Sequence, residues 1–104
     1  MKIHHLFILS AGLLISANAM ADGADLAKKN GCMTCHAVDK KGPVGPSFKD
    51  IANKYAQDTE AAAKLAKKVR EGGSGSFGKT PMLAQKNVSD DDIKTIVAWI
   101  LQLK

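Results

Sequence analysis

The segment Cys32-Met33-Thr34-Cys35-His36 limits this chain more than any other feature, because it carries both cysteines of a 104-residue sequence. Two thiols three positions apart with an imidazole directly behind them form the attachment motif of c-type haem. The spacing has a chemical reason. Thiols in neighbouring turns of a short helical stretch reach the two vinyl groups of one haem, and the next imidazole lies under the iron as proximal ligand. Zinc would need further Cys or His ligands that the remaining chain lacks. A thioredoxin-like motif would follow a β-strand, whereas residues 22–31 (DGADLAKKNG) read as a polar, Ala-containing helix. A structural disulfide across so short a loop would stabilise little.

Residues 1–21 read as a leader. A short basic start precedes the ten-residue apolar run LFILSAGLLI at 6–15, and small residues follow at 16–21 (SANAMA). The run falls well short of the roughly 20 apolar residues of a membrane span. Cleavage is expected after Ala21, with Ala19 the rival, so that residues 22–104 form one domain that is not membrane-integral. Removing the leader takes away His4 and His5 and leaves His36 as the single histidine; the net charge falls from +5 to +4. A domain of 83 residues has a small core, and chains of this size usually need a disulfide, metal or cofactor to complete it. Export and the dispersion of the basic residues exclude nucleic acid as a partner.

A second axial ligand follows by elimination. Beyond the leader the methionines are Met33, between the two cysteines, and Met82. Met82 follows the Gly-rich stretch 72–78 and Pro81, a flexible segment ending in a fixed residue that can wrap over one haem face. Lys79 and Lys86 are alternatives, held protonated at neutral pH.

The rest predicts an all-α domain of about four helices folded around the haem. A first helix is expected over 25–30, and 40–46 (KKGPVGP) reads as a loop. Ser47 caps a helix whose apolar residues Phe48, Ile51, Ala52 and Tyr55 share one face. A third helix begins near Asp58 or Thr59, presents Ala62, Leu65, Ala66 and Val69, and ends at Gly72-Gly73. Ser89 opens the last helix with Asp90, Asp91 and Asp92 in its first turn, where negative charge suits the helix dipole. Its face is Ile93, Ile96, Val97, Ile100 and Leu101, widened by Trp99 and Leu103.

Four segments together resemble the small bacterial class I cytochromes c, of the single-haem periplasmic c-551 and c-552 type. They are 26–36 (LAKKNGCMTCH), 44–52 (VGPSFKDIA), Pro81-Met82 and 88–103 (VSDDDIKTIVAWILQL). The resemblance implies that Cys32 and Cys35 hold the haem, with His36 as proximal and Met82 as distal ligand. It implies also that the Pro46 carbonyl accepts a hydrogen bond from the His36 ring, fixing it and raising its basicity. Gly31 would permit a close crossing of the first and last helices near Trp99, or serve simply as a turn. Two departures stand out. Relatives commonly have Trp, able to donate to a haem propionate, where this chain has Phe77; Lys68 or Arg70 is the candidate substitute. Prolines often follow the ligand Met, where Leu83 and Ala84 stand here, so a looser loop is expected.

Iron with both axial positions filled offers no substrate site and suits single-electron transfer. The expected function is a monomeric periplasmic electron carrier and not an enzyme. It would take electrons from a membrane cytochrome complex or a dehydrogenase and give them to a terminal oxidase, a peroxidase or a nitrogen-oxide reductase. A small haem subunit of a periplasmic oxidoreductase, or a sensor with a labile Met82, are the alternatives. Lys28, Lys29, Lys40, Lys41, Lys79 and Lys86 would form either a steering rim or an ordinary solvated face.

Overall fold

The computed structural model describes residues 17–104, with side chains from Met20 onward. Its elements are α1 (Ala17–Lys29), a 3-10 helix (Cys32–Thr34), α2 (Phe48–Lys54), α3 (Ala61–Glu71) and α4 (Asp90–Leu101). Among the described residues there is no strand, only an isolated antiparallel bridge between Gly73 and Met82. The apolar run 6–15 lies outside the described residues.

The all-α reading holds, and α2 and α4 begin where their caps put them. Ser47 Oγ accepts the Asp50 N–H at 3.0 Å, and Ser89 Oγ accepts that of Asp92 at 3.1 Å. Helix α4 is the spine: Ile93, Ile96, Val97, Trp99 and Ile100 are buried, and α1, α2 and α3 all pack on it. Trp99 belongs to the core, edge-on to Phe48 with ring centroids 5.3 Å apart.

Two helices differ from expectation. Within the described residues helix α1 already runs from Ala17, not from near residue 25. Its packed residues Met20, Gly23, Ala24 and Ala27 repeat at i, i+3, i+4 and i+7, but three of the four are small, so the stripe carries little hydropathy signal. Helix α3 starts at Ala61 because Asp58 builds a turn of its own: its Oδ1 accepts the Glu60 N–H at 2.8 Å and its carbonyl the Ala61 N–H at 3.1 Å. The buried face is therefore Ala61 and Leu65, and Ala62 is exposed. The Lys64 ammonium, bonded to Asp58 at 2.6 Å, and the Glu60 N–H hold the Asp58 carboxyl below its ordinary pKa.

The crossing of α1 and α4 is made by Gly23, not Gly31. A Cβ at Gly23 would overlap the Trp99 Cβ and stand 2.9 Å from Trp99 Cγ and 3.0 Å from the Thr95 carbonyl oxygen. Gly31 is a turn residue in the left-handed region at φ 76°, with nothing closer than Thr34 Oγ1 at 3.9 Å. Gly23→Ala should thus cost about 2–3 kcal/mol by overpacking, or about 10–20 °C in the thermal unfolding of the haem-loaded protein. Gly31→Ala should cost about 1–2 kcal/mol, from backbone conformation alone. Equal losses in the two variants would contradict this assignment of the crossing.

Candidate functional site

The helices leave a cavity of about 720 Å³ in the middle of the fold, a size typical of small-molecule and cofactor sites. Its apolar walls come from the core helices: Phe48 and Ile51 of α2, Leu65 of α3, and Ile96, Val97 and Ile100 of α4. Cys32, Cys35, His36, Pro46 and Met82 line the same cavity, so it brings together every residue that the sequence singles out as a site residue. The core is incomplete where these residues face it.

Local structure explains how the motif is presented. The chain leaves α1 through Gly31 and folds into the 3-10 helix Cys32–Thr34, where the Cys35 and His36 N–H groups both donate to the Cys32 carbonyl, at 3.3 and 3.0 Å. The motif thus follows a helix, which removes the thioredoxin-like reading. Both thiols are free, and burial pushes the Cys32 thiol up from its ordinary pKa. Among the described residues no group of three or more His, Cys, Asp or Glu is gathered as a metal cluster.

His36 is buried and its ring is fixed on three sides. Nδ1 lies 2.8 Å from the Pro46 carbonyl oxygen. A carbonyl only accepts, so Nδ1 carries the proton and Nε2 keeps its lone pair for a Lewis acid. Phe48 stacks on the ring at 5.0 Å with planes 23° apart. The third side is Gly45, where a Cβ would stand 2.6 Å from Cε1 and 2.8 Å from Nδ1. The Gly45 N–H donates to the Cys35 carbonyl at 2.8 Å and folds the 40–46 loop back onto the motif. Phe48 and Gly45 were missed as site residues; Phe48 reads as core, and Gly45 in a Gly-Pro loop reads as a turn.

Met82 is held by its backbone. Its N–H and carbonyl pair with the carbonyl and N–H of Gly73, each at 2.9 Å. The Gln85 N–H donates to the Val69 carbonyl at 2.9 Å. Despite Leu83 and Ala84 in place of prolines, the loop is tied to the end of α3 by these backbone hydrogen bonds. Arg70 is turned away from the cavity toward Gln85, Lys86 and Asp90, and Lys68 is the α3 cation on the cavity wall. Phe77 is 44% exposed, with the Lys54 ammonium 4.5 Å from its ring centroid, so a cation–π contact occupies one face of the ring. Of the six lysines considered for a rim, Lys41 lines the cavity.

A cavity of this size, bordered by two free thiols, an oriented imidazole and a thioether, matches the shape and donor set of a covalently held haem. Comparison with known proteins agrees. The family model "Cytochrome c" matches residues 20–104. The chain belongs to the cytochrome c family. It is 52% identical over 95 residues to cytochrome c-552 of Nitrosomonas europaea, covering 91% of this chain and 90% of that protein. Cytochrome c-551 of Pseudomonas aeruginosa is 40% identical over 100 residues, 95% of this chain and 94% of that one. The crystal structure of the Nitrosomonas europaea cytochrome c552 superposes with a TM-score of 0.74 at 54% identity, over 78% of this chain and 99% of that one. The class 1 cytochrome MtoD of Sideroxydans lithotrophicus superposes at 0.68 with 37% identity, over 80% of this chain and 94% of that one. As a monohaem cytochrome c the chain carries covalently attached haem c, and like its relatives it is an electron carrier and not an enzyme.

Proposed function

We propose that the protein is a soluble periplasmic electron shuttle whose iron is held between His36 and Met82, with Cys32 and Cys35 as the thioether anchors. The observation that carries this reading is the hydrogen bond from His36 Nδ1 to the Pro46 carbonyl, which leaves Nε2 as the free donor in a cavity that Met82 also lines. Bound there, haem supplies an iron that gains or loses one electron.

The protein's part is to keep the ligand set fixed and dry. Pro46, Gly45 and Phe48 lock the imidazole, so the ring cannot rotate when the iron changes charge. The pairing of Met82 with Gly73 holds the thioether segment in place. A thioether ligand favours the reduced state and raises the potential. The exposed apolar residues Val44, Phe77 and Leu83 all line the cavity and give its mouth an apolar surface that a redox partner can meet. Partners are expected to be a membrane cytochrome complex or a dehydrogenase on the donor side. The acceptor is a terminal oxidase, a peroxidase or a nitrogen-oxide reductase.

Export is part of the proposal. No described helix is long and apolar enough to cross a membrane. A cut after Ala21 retains Gly23 at the α4 crossing and removes Met20, which is only partly buried. One preparation tests both points: protein exported from cells with a c-type haem maturation system, weighed intact and examined by absorption. The expected mass is that of residues 22–104 plus one haem. The ferric spectrum should show the weak red charge-transfer band of Met-ligated haem, and the ferrous spectrum should not change with carbon monoxide. A missing band together with carbon monoxide binding would replace the shuttle by a sensor or catalyst.

A further inference from the structure

We propose that Arg70 is a positioning residue that keeps Met82 on the iron by pinning two backbone carbonyls of the segment joining Met82 to α4. The proposal rests on Met82 as the axial ligand. Arg70 stands in the last turn of α3, with its side chain one-third exposed. Nη1 donates to the Gln85 carbonyl at 2.7 Å and to the Lys86 carbonyl at 3.3 Å, and Nη2 to Asp90 Oδ1 at 2.7 Å. One guanidinium therefore ties the loop and the first residue of α4 to the end of α3.

The position of these bonds gives Arg70 its leverage. Upstream, Met82 is fixed through Gly73, two residues beyond α3; downstream, Gln85 is fixed through Val69, the residue before Arg70. Between these ties lie Leu83, 77% exposed, and Ala84, where no proline limits the backbone. An unrestrained chain there gains conformational entropy whenever Met82 departs. Cross-links to α3 oppose that gain, and a charged donor shared between two carbonyls is the strongest kind available here. Asp90 is 85% exposed, so its ion pair with Arg70 adds little. Lysine lacks the planar fork whose two Nη atoms reach the carbonyls and Asp90 separately, so its flexible ammonium would hold the same three acceptors less well.

Titrating the ferric holoprotein with imidazole tests this, because imidazole reaches the iron only by displacing Met82 and its binding abolishes the red band. Arg70→Leu should tighten imidazole binding about tenfold or more. Arg70→Lys should fall between that variant and the parent, and Asp90→Asn should stay within about twofold of the parent. Arg70→Leu within about twofold of the parent overturns the proposal, as does an Asp90→Asn effect equal to that of Arg70→Leu. Should Arg70→Leu fail to mature, Arg70→Lys decides alone, and parental affinity in it overturns the proposal. A parent that lacks the red band and binds imidazole as tightly as Met82→Ala overturns the Met82 reading and the clamp with it. A parent with the band and an unresponsive Arg70→Leu overturns the clamp alone.

Discussion

Met82→Ala should leave the haem attached and the fold intact while converting a closed iron site into an open one. Met82 is only partly buried and sits on the cavity wall, not inside the packed core, so shortening it removes few contacts beyond those of the sulfur. Its backbone bonds to Gly73 do not depend on the side chain and persist in the variant. The expected results are loss of the red ferric band, carbon monoxide binding by the ferrous protein where the parent shows none, and a lower reduction potential. Optical titration and a redox titration check all three. An unchanged spectrum would remove Met82 from the ligand set.

The largest effect on stability should come from Cys32→Ser combined with Cys35→Ser. Without thioethers the protein must retain haem by contacts and axial ligation alone, and any chain that loses it is left with a cavity of about 720 Å³. The cavity opens to solvent at its mouth, so only its enclosed part would be dry; at about 24 cal/mol per Å³, a dry third of it would cost about 6 kcal/mol. That already rivals the whole stability of a small domain. The walls cannot stay apart at that cost, nor can water stabilise side chains such as Leu65, Ile96 and Val97. The haem-free double variant is therefore expected to be largely unfolded. Far-ultraviolet circular dichroism and proteolysis would test this, and a well-folded haem-free monomer would contradict it.

How much of this was legible depended on the physical signal. Helices α2 and α4 are announced by capping serines and by large apolar residues at helical spacing, both local properties. Helix α1 is packed by Gly23, Ala24 and Ala27, small residues covered by the packing of α1 on α4, which is closest where Gly23 meets Trp99. An isolated glycine in an Ala-rich helical stretch was the available clue. The start of α3 turned on competition between the Asp58 side chain and the helix for the same backbone N–H groups, which a periodicity argument does not see.

The site divides in the same way. Cys32, Cys35 and His36 are adjacent in the chain, so their chemistry and spacing are written there, and Met82 followed because no other suitable thioether remains after the leader. The departures at Phe77 and at Leu83-Ala84 were also visible, but their consequences were not. Lys54 covers the Phe77 ring from α2, and Arg70 reaches 15 and 16 residues along the chain to bind the loop. The sequence by itself determined the cofactor, the helical class and the candidate ligands, because these depend on residue type and local spacing. Only the tertiary structure decided which glycine permits the crossing, which nitrogen of His36 is free and which cation holds the Met82 loop. Each of those outcomes depends on groups distant in the chain competing for one position in space.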